Sequence, residues 1–265
     1  ENSLKANGYD MLNPELITDE GLEDLKKYLE LKNITISSIS SYMPLIVSTE
    51  EQKRKTLEMM RKYLKIASFL GAPWIRTYGN DDTGEMDMNE MFNSHVDLLK
   101  ELTPDRDETG VGILIETNEN TVTPDIQTCL NVKKAVGSKS IGIVIDPINL
   151  YFSGKTLEEV DEQLKIASGE IAMIHVKNAR VTNEAVATYK GTTGTEFVWT
   201  ALDEGDIDWE RYLKRAISLG FDGPLVYEYA NPFKGMSKEF WEAIPDAKTL
   251  SEHSEKFLRR IITQA

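Results

Sequence analysis

Short apolar segments alternate along this chain with longer segments in which apolar residues recur every three or four positions. The short segments begin near Tyr9, Ile34, Pro73, Val111, Ile141, Ile171 and Pro224. Most of the intervals between them have room for one helix and two loops, which is the size of a strand–helix unit. The pattern therefore predicts a series of repeated βα units.

Several of the predicted strands are apolar at almost every position instead of alternating with polar residues. These are residues 110–115, 141–145, 171–174 and 224–226. Such runs are typical of parallel strands that are covered on both faces. Repeated units with strands of this kind predict an α/β barrel or an open doubly wound sheet. No Gly-x-Gly-x-x-Gly segment follows a strand, so the dinucleotide-binding form of the open sheet lacks its fingerprint.

A (β/α)8 TIM barrel needs one more strand than the seven that the pattern reveals. We expect the first strand to be missing from the N-terminus of this chain, because residues 3–6 resemble the end of a first helix. The alternative is a strand hidden around residues 197–201. No segment resembles a linker, so we expect residues 1–265 to form a single domain.

Composition narrows the class of protein. Of the 265 residues, 40% are hydrophobic and 28% are charged, which is ordinary for a soluble globular protein. The net charge of −14 argues against nucleic acid and anionic membranes as partners. The single cysteine, Cys129, excludes an intrachain disulfide. We expect a cytoplasmic protein, with export left open because the chain begins at Glu1.

The strand ends carry the chemistry. Four apolar strands end in Glu116, Asp146, His175 and Glu228. In a parallel barrel all strand carboxyl ends open on the face that holds the active site. Three buried carboxylates in one place would repel each other, and a divalent cation such as Mn²⁺, Mg²⁺, Co²⁺ or Zn²⁺ would resolve that conflict. Taken singly, an acidic residue at a strand end is more often a helix N-cap or a loop residue than a metal ligand.

The order of these motifs resembles a known family. Residues 110–118, 145–147 and 171–178 resemble the fifth-, sixth- and seventh-strand motifs of the sugar phosphate isomerase/epimerase superfamily, the xylose isomerase-like TIM barrels. That superfamily includes D-tagatose 3-epimerase and the inosose isomerase-dehydratase relatives. Further matches lie at residues 7–10, 71–76, 205–209 and 220–224, and each motif alone is weak. The set covers nearly the whole chain and is specific for the superfamily, not for a substrate.

The resemblance implies one divalent metal ion, Mn²⁺ first and Mg²⁺, Co²⁺ or Zn²⁺ otherwise, bound by Glu116, Asp146, His175 and Glu228. It implies an isomerase or epimerase of a sugar, sugar phosphate or keto-polyol, acting by proton transfer next to a carbonyl through a metal-stabilised enediolate. Glu116 and Glu228 would form the acid–base pair. The alternatives are an inosose-type dehydratase on the same metal site and a non-catalytic sugar-binding barrel. The implied partner is a small-molecule substrate, and a homodimer is expected from the family.

Four further residues are candidates for binding substrate. Asn149 stands where the ketose 3-epimerase branch has a histidine, which leaves the sugar open. Lys177 follows His175 by two positions and so points the same way from the strand, either to substrate or to a carboxylate. Arg76 and Arg180, the latter in a long loop over residues 179–204, could meet a substrate oxygen. Trp199 could pack against a sugar, although a core position is favoured.

Overall fold

The computed structural model describes residues 13–41, 43–79, 86–119, 121–183, 189–228 and 247–264. The predicted strand near Tyr9 and the motif at residues 7–10 lie outside these ranges. The helices are α1 (Asp19–Lys32), α2 (Glu50–Leu70), α3 (Met88–Thr109), α4 (Ile126–Val136), α5 (Pro147–Phe152), α6 (Leu157–Ile166), α7 (Trp209–Ser218) and α8 (Ala247–Gln264). The strands are β1 (Ile39–Ser40), β2 (Trp74–Tyr78), β3 (Gly112–Glu116), β4 (Ile141–Ile145), β5 (Ile171–Val176), β6 (Asn178–Val181), β7 (Tyr189–Lys190), β8 (Glu196–Thr200) and β9 (Leu225–Tyr227).

Six strands are hydrogen-bonded in the order β1-β2-β3-β4-β5-β9. The pairs β1–β2, β4–β5 and β5–β9 are parallel. Every residue of β3 and β4 is buried, which confirms the interpretation of their unbroken apolar runs as strands covered on both faces. None of the helices among the described residues combines the length and apolar character that a membrane span requires.

The chain divides into two compact units, which are described separately. The first comprises Glu1–Ile115 and Asn131–Gly142. Its helix α2 starts with a capping box formed by Thr49 and Gln52 and ends at Gly71, whose φ of 73° favours glycine. The apolar face of α2 is buried and packs on α3. These signals are local, because they lie in the helix itself and in the residues next to its ends.

The second unit comprises Glu116–Leu130 and Ile143–Ala265. The segment expected to be a long loop contains a three-stranded antiparallel sheet in the order β6-β8-β7. Residues 197–201 therefore do supply a strand, Glu196–Thr200, but it pairs with β6 and β7. The alternative of a hidden barrel strand there was wrong, because this strand belongs to a separate sheet. A strand before residue 1 stays a prediction.

Helix α5 was not predicted. It has only six residues, too few to show a helical period, and it begins directly after β4 with Asp146 as N-cap and Pro147 in its first turn. Together, β4 and α5 place a strand end and a helix N-terminus at the same residue. This junction positions the candidate site described below.

Asn178 organises the chain that follows β6 and β8. Its side chain donates to the carbonyl oxygens of Leu202 and Ile207 and accepts from the backbone N–H groups of Ala179 and Ile207. A Cβ at Gly205 would lie 2.3 Å from the Asn178 side chain, so only glycine fits there. The Asn178 side chain thus holds the backbone around residues 202–207 in place.

Candidate metal centre

Glu116 is the last residue of β3 and is fully buried. The apolar residues before it place it at the carboxyl end of a strand that is inaccessible on both faces. Its backbone carbonyl accepts from the Thr123 hydroxyl, 2.8 Å away, and one of its carboxylate oxygens, Oε1, lies 2.8 Å from Nδ1 of His175. A buried carboxylate in this position requires a charged or hydrogen-bonding partner.

Asp146 serves two purposes with its two carboxylate oxygens. Oδ1 accepts from the backbone N–H groups of Ile148 and Asn149, at 3.0 and 3.1 Å, and so caps α5. Oδ2 lies 2.7 Å from Nζ of Lys177. The backbone N–H of Asp146 donates to the Thr117 hydroxyl. Asp146 can therefore act both as the N-cap of α5 and as a metal ligand, because the cap uses only one of its two carboxylate oxygens.

His175 and Lys177 lie two positions apart at the end of β5, so their side chains leave the chain on the same side. The His175 Nδ1 atom is 2.8 Å from Glu116, 3.1 Å from Glu228 and 3.9 Å from Asp146. Lys177 lies between Asp146 and Glu228, with its Nζ at 2.7 and 2.8 Å from one oxygen of each. The alternative that Lys177 neutralises carboxylates thus describes what it does in this structure.

Glu228 directly follows β9, and its backbone N–H donates to the carbonyl of Val176. This hydrogen bond continues the pairing of β9 with β5 and holds the glutamate beside His175 and Lys177. The Glu228 side chain is 31% exposed, whereas those of Glu116 and Asp146 are completely buried. Glu228 is therefore the carboxylate of the group with the most access to solvent.

The four candidate ligands form one compact group, called the metal centre from here on. Each offers one ligand atom, and these atoms all lie within 4.8 Å of one another. Metal bonds of about 2.0–2.6 Å allow opposite ligands to be roughly 4–5 Å apart, so the group fits a single ion. Three carboxylates and an imidazole suit Mn²⁺, Mg²⁺, Co²⁺ or Zn²⁺ by donor type.

The electrostatics of the metal centre reflect its excess of negative charge. Burial raises the pKa of Asp146 to about 6; the Lys177 charge acts against this rise, and the two glutamates add to it. Burial acts to lower the pKa of Lys177, but the surrounding carboxylates outweigh it and raise that pKa above its usual range. One ammonium stabilises three carboxylates only in part, which leaves a place for a cation.

The other predicted substrate contacts have different surroundings. Asn149 is buried and donates from its side chain to the carbonyl of Thr117, so that amide hydrogen is already used. Arg76 lies inside β2, in the first unit, where it donates to the Ser40 hydroxyl at 3.0 Å. Arg180 lies on β6 with an exposed side chain. Contact of these three residues with substrate stays a prediction.

Sequence reasoning missed the supporting role of Thr117. Its hydroxyl accepts from the Asp146 backbone and its carbonyl accepts from Asn149, so it connects the end of β3 to the start of α5. The adjacency of a threonine to the strand-end glutamate was the available signal. It also missed Glu119, whose carboxylate accepts a hydrogen bond from Tyr189 seventy residues away.

The chain is similar to a known protein family over almost its whole length. The family model described as xylose isomerase-like TIM barrel matches residues 3–261. The chain belongs to this family. The resemblance seen in the sequence and the α/β barrel class are thereby confirmed. No curated protein matches the chain.

Three solved structures illustrate the fold that this chain shares with other proteins. The IOLI protein with a bound zinc atom is 19% identical, with 99% of this chain and 91% of that chain covered and a TM-score of 0.73. D-psicose 3-epimerase with D-tagatose, from Clostridium cellulolyticum H10, is 15% identical, with coverages of 94% and 85% and a TM-score of 0.72. The probable 3-DHS dehydratase AsbF from Bacillus anthracis is 19% identical, with coverages of 91% and 82% and a TM-score of 0.68. At these identities the likeness shows the fold alone.

Proposed function

We propose that this protein is a divalent-metal-dependent isomerase or epimerase of carbohydrates. The observation that carries the proposal is the convergence of four ligand atoms, from four strand ends, within 4.8 Å of one another. Membership of the xylose isomerase-like family supports it. The single-domain organisation over residues 1–265, the cytoplasmic location and a homodimer remain predictions.

Glu116, Asp146, His175 and Glu228 would hold the ion. The bound cation would supply a Lewis acid that polarises a substrate carbonyl and lowers the energy of negative charge on its oxygen. We propose Mn²⁺ first, with Mg²⁺, Co²⁺ and Zn²⁺ as alternatives, because the donor set contains three carboxylates and one imidazole. The similarly folded IOLI protein binds a zinc atom, which supports a metal-dependent function for this protein.

Proton transfer is assigned to the two glutamates. A carboxylate removes a proton from the carbon beside the carbonyl, and a second acid returns a proton to that carbon or to its neighbour. Return to the opposite face of the same carbon yields an epimer, and return to the adjacent carbon yields an aldose–ketose isomer. Glu228 is the better placed of the pair to meet substrate, because its side chain is 31% exposed.

Lys177 is proposed to bind a substrate oxygen. Its ammonium has three N–H donors, and two oxygens, from Asp146 and Glu228, lie within 2.8 Å. The remaining donor can approach an oxygen where negative charge develops, and the raised pKa keeps the group charged. The neutralising contacts and the substrate contact are thus compatible.

A dehydratase is the second candidate. Removal of the same proton followed by loss of a β-hydroxyl would need no change in the metal centre, and the fold of AsbF, a probable 3-DHS dehydratase, is similar. A non-catalytic sugar-binding barrel is a weaker alternative, because all four ligands and a partly exposed glutamate are present. The three alternatives differ in whether a substrate hydrogen exchanges with solvent and whether a hydroxyl is lost.

Solvent deuterium incorporation tests the proposal. Mn²⁺-loaded protein is incubated in D₂O with D-tagatose, D-fructose, a keto-inositol and 3-dehydroshikimate, and each compound is followed by NMR. We expect deuterium at a carbon next to the carbonyl together with formation of an epimer or isomer. Elimination of water would favour the dehydratase. Binding without exchange, in protein whose metal content has been verified, would contradict an enzymatic function of this kind.

A further inference from the structure

An aromatic cluster lies on one face of the small antiparallel sheet of the second unit. Tyr189 is paired with Phe197, and Trp199 follows Phe197 by two positions, so these three rings project to the same side. All three contact Phe152 of α5, with ring centroids 4.5, 4.6 and 5.3 Å from it for Tyr189, Phe197 and Trp199. Phe152 and Phe197 are buried, whereas Tyr189 and Trp199 keep part of their surface exposed.

The aromatic cluster is connected to three strand ends that supply the metal centre. Phe152 is the last residue of the helix capped by Asp146. The Tyr189 hydroxyl donates to Oε1 of Glu119, which lies three residues after Glu116. The Cα atoms of these two glutamates are therefore at most about 11 Å apart. The sheet itself begins at residue 178, directly after Lys177. The charge of Lys177 is close enough to act against the rise in the pKa of Tyr189.

Two polar atoms at this cluster are buried without a hydrogen-bond partner in the part of the chain that the structure describes. They are Oε2 of Glu119 and the indole Nε1 of Trp199. The other oxygen of Glu119 is engaged by Tyr189, and burial together with that bond raises the pKa of Tyr189 and keeps it a donor. An unsatisfied buried carboxylate oxygen and an unsatisfied N–H are both costly, and such groups are usually completed by water or a ligand.

The chemistry of these two atoms fits a polyhydroxylated molecule. A carboxylate oxygen accepts from a hydroxyl, an indole N–H donates to one, and aromatic faces cover the C–H groups of a sugar ring or chain. A carboxylate also repels a phosphate or a second carboxylate at the same position. The combination therefore selects hydroxyl groups and disfavours anionic ones.

We propose that Glu119 and Trp199 are specificity-determining residues that bind the hydroxyl-bearing end of an uncharged sugar or keto-polyol whose carbonyl end lies at the metal centre. Glu119 Oε2 accepts from one hydroxyl, and Trp199 Nε1 donates to another. Tyr189 is a positioning residue that fixes the orientation of Glu119. The inference rests on the proposed function and names its substrate class as unphosphorylated.

The test compares the parent with Glu119→Gln and Trp199→Phe, and uses Glu158→Gln, an exposed glutamate on α6, as the matched control. Binding of D-tagatose, D-fructose and D-fructose 6-phosphate to Mn²⁺-loaded protein is measured by calorimetry, and KM and kcat by deuterium exchange. For the neutral ketose that binds best, E119Q should weaken binding and raise KM by about 10–100-fold, with kcat changed little. W199F, which keeps a ring but removes the N–H, should weaken binding by about 3–10-fold, and E158Q should equal the parent.

The charge of the substrate gives an independent readout. The parent should bind D-fructose 6-phosphate at least about tenfold more weakly than D-fructose, and E119Q should reduce that difference because it removes the repulsion. Equal binding of the neutral ketose by E119Q, W199F and the parent would overturn the inference, as would preference of the parent for the phosphorylated ketose or its failure to bind any of the neutral ketoses. Binding that depends on Glu119 without deuterium exchange would instead contradict the proposed function and leave the subsite standing.

Discussion

Two buried aspartates of the second unit show how a structural charge differs from a functional one. Asp161 on α6 is held by two arginines of α7, Arg211 at 2.7 Å and Arg215 at 3.1 Å. Asp146 pairs with Lys177 at 2.7 Å and shares this ammonium with Glu228. Both carboxylates have 6% or less of their side chain exposed. Burial alone therefore does not distinguish the two sites.

The difference lies in the balance of charge. Around Asp161 the second carboxylate, Glu162, contacts Arg215 and also Lys165, so two anions meet three cations and the negative charge is fully balanced. The metal centre combines three carboxylates with one ammonium and an imidazole. A divalent cation would bring its three negative charges and one ammonium to neutrality. A buried excess of one sign of charge is what marks a site that is prepared for an ion or a substrate.

The strongest test of this contrast is Glu228→Gln. The variant should fold but lose about 10²–10⁴-fold in the rate of deuterium exchange, because a carboxamide cannot accept the proton that the carboxylate removes. The exchange rate at matched Mn²⁺ occupancy measures it, and circular dichroism with a melting curve checks the fold. Near-normal exchange in E228Q would reject the catalytic role of Glu228.

A buried histidine of the first unit, His95, sharpens the comparison, because it belongs to no candidate metal-binding group among the described residues. Burial lowers the pKa of His95 to about 4, against a smaller opposing effect from the backbone of Leu45. The unfolded chain binds this proton near pH 6.5, so stability is complete above that pH and falls by about 3 kcal/mol as the pH drops toward 4. Urea unfolding from pH 7 to 4 should show this loss in the parent and a smaller one in His95→Gln. Parallel pH profiles of the two proteins would contradict the assignment.

Metal loading should stabilise the unit that contains the charge excess. A cation that binds only the folded protein adds about 2.7 kcal/mol at a concentration one hundred times its Kd, which corresponds to roughly 5–10 °C in Tm for a chain of this size. Melting curves with Mn²⁺ and with EDTA measure the shift. Asp146→Asn should reduce it strongly, and an unchanged shift in that variant would place the bound ion elsewhere.

Asp161→Asn should lower the stability of the protein without changing its affinity for the metal ion. It removes two ion pairs, of which the Arg211 partner is 58% exposed and Arg215 is 26% exposed, so we expect a loss of about 1–2 kcal/mol in unfolding free energy. The Kd for Mn²⁺ and the exchange rate should stay within about twofold of the parent. A large loss of metal affinity in D161N would break the distinction drawn between the two aspartates.

Lys177→Met tests the charge balance of the metal centre through the smallest expected effect. The ammonium lies within 2.8 Å of two ligand carboxylates and so competes electrostatically with an incoming cation. Its removal should tighten Mn²⁺ binding about tenfold, equivalent to roughly 1.4 kcal/mol, and should destabilise the metal-free protein. Calorimetric titration at low ionic strength measures the first effect and urea unfolding the second. Weaker Mn²⁺ binding by K177M would show that Lys177 supports the metal instead of competing with it.

Features that depend on residues close together in the sequence were predicted better than features that depend on distant residues. In helix α7 the apolar positions and the N-cap, Asp208, lie within one local segment, and signals of this kind can be read from the sequence alone. The metal centre was found because each of its members ends an apolar strand and parallel strands end on the same side. The pairing of β8 with β6 and β7 was missed, because the residues of a short strand do not indicate which sheet the strand will join.

The sequence by itself determined most of the alternation of parallel strands and helices, the membership of the family and the four residues that could share an ion. Only the tertiary structure decided how the charges balance, with Lys177 between Asp146 and Glu228 and with one oxygen of Asp146 kept for the cap of α5. It also decided that Tyr189 meets Glu119. Helical periods and strand ends depend on residues that are neighbours in the sequence, so they can be recognised from the sequence. Contacts between side chains that are far apart in the sequence form only when the chain folds.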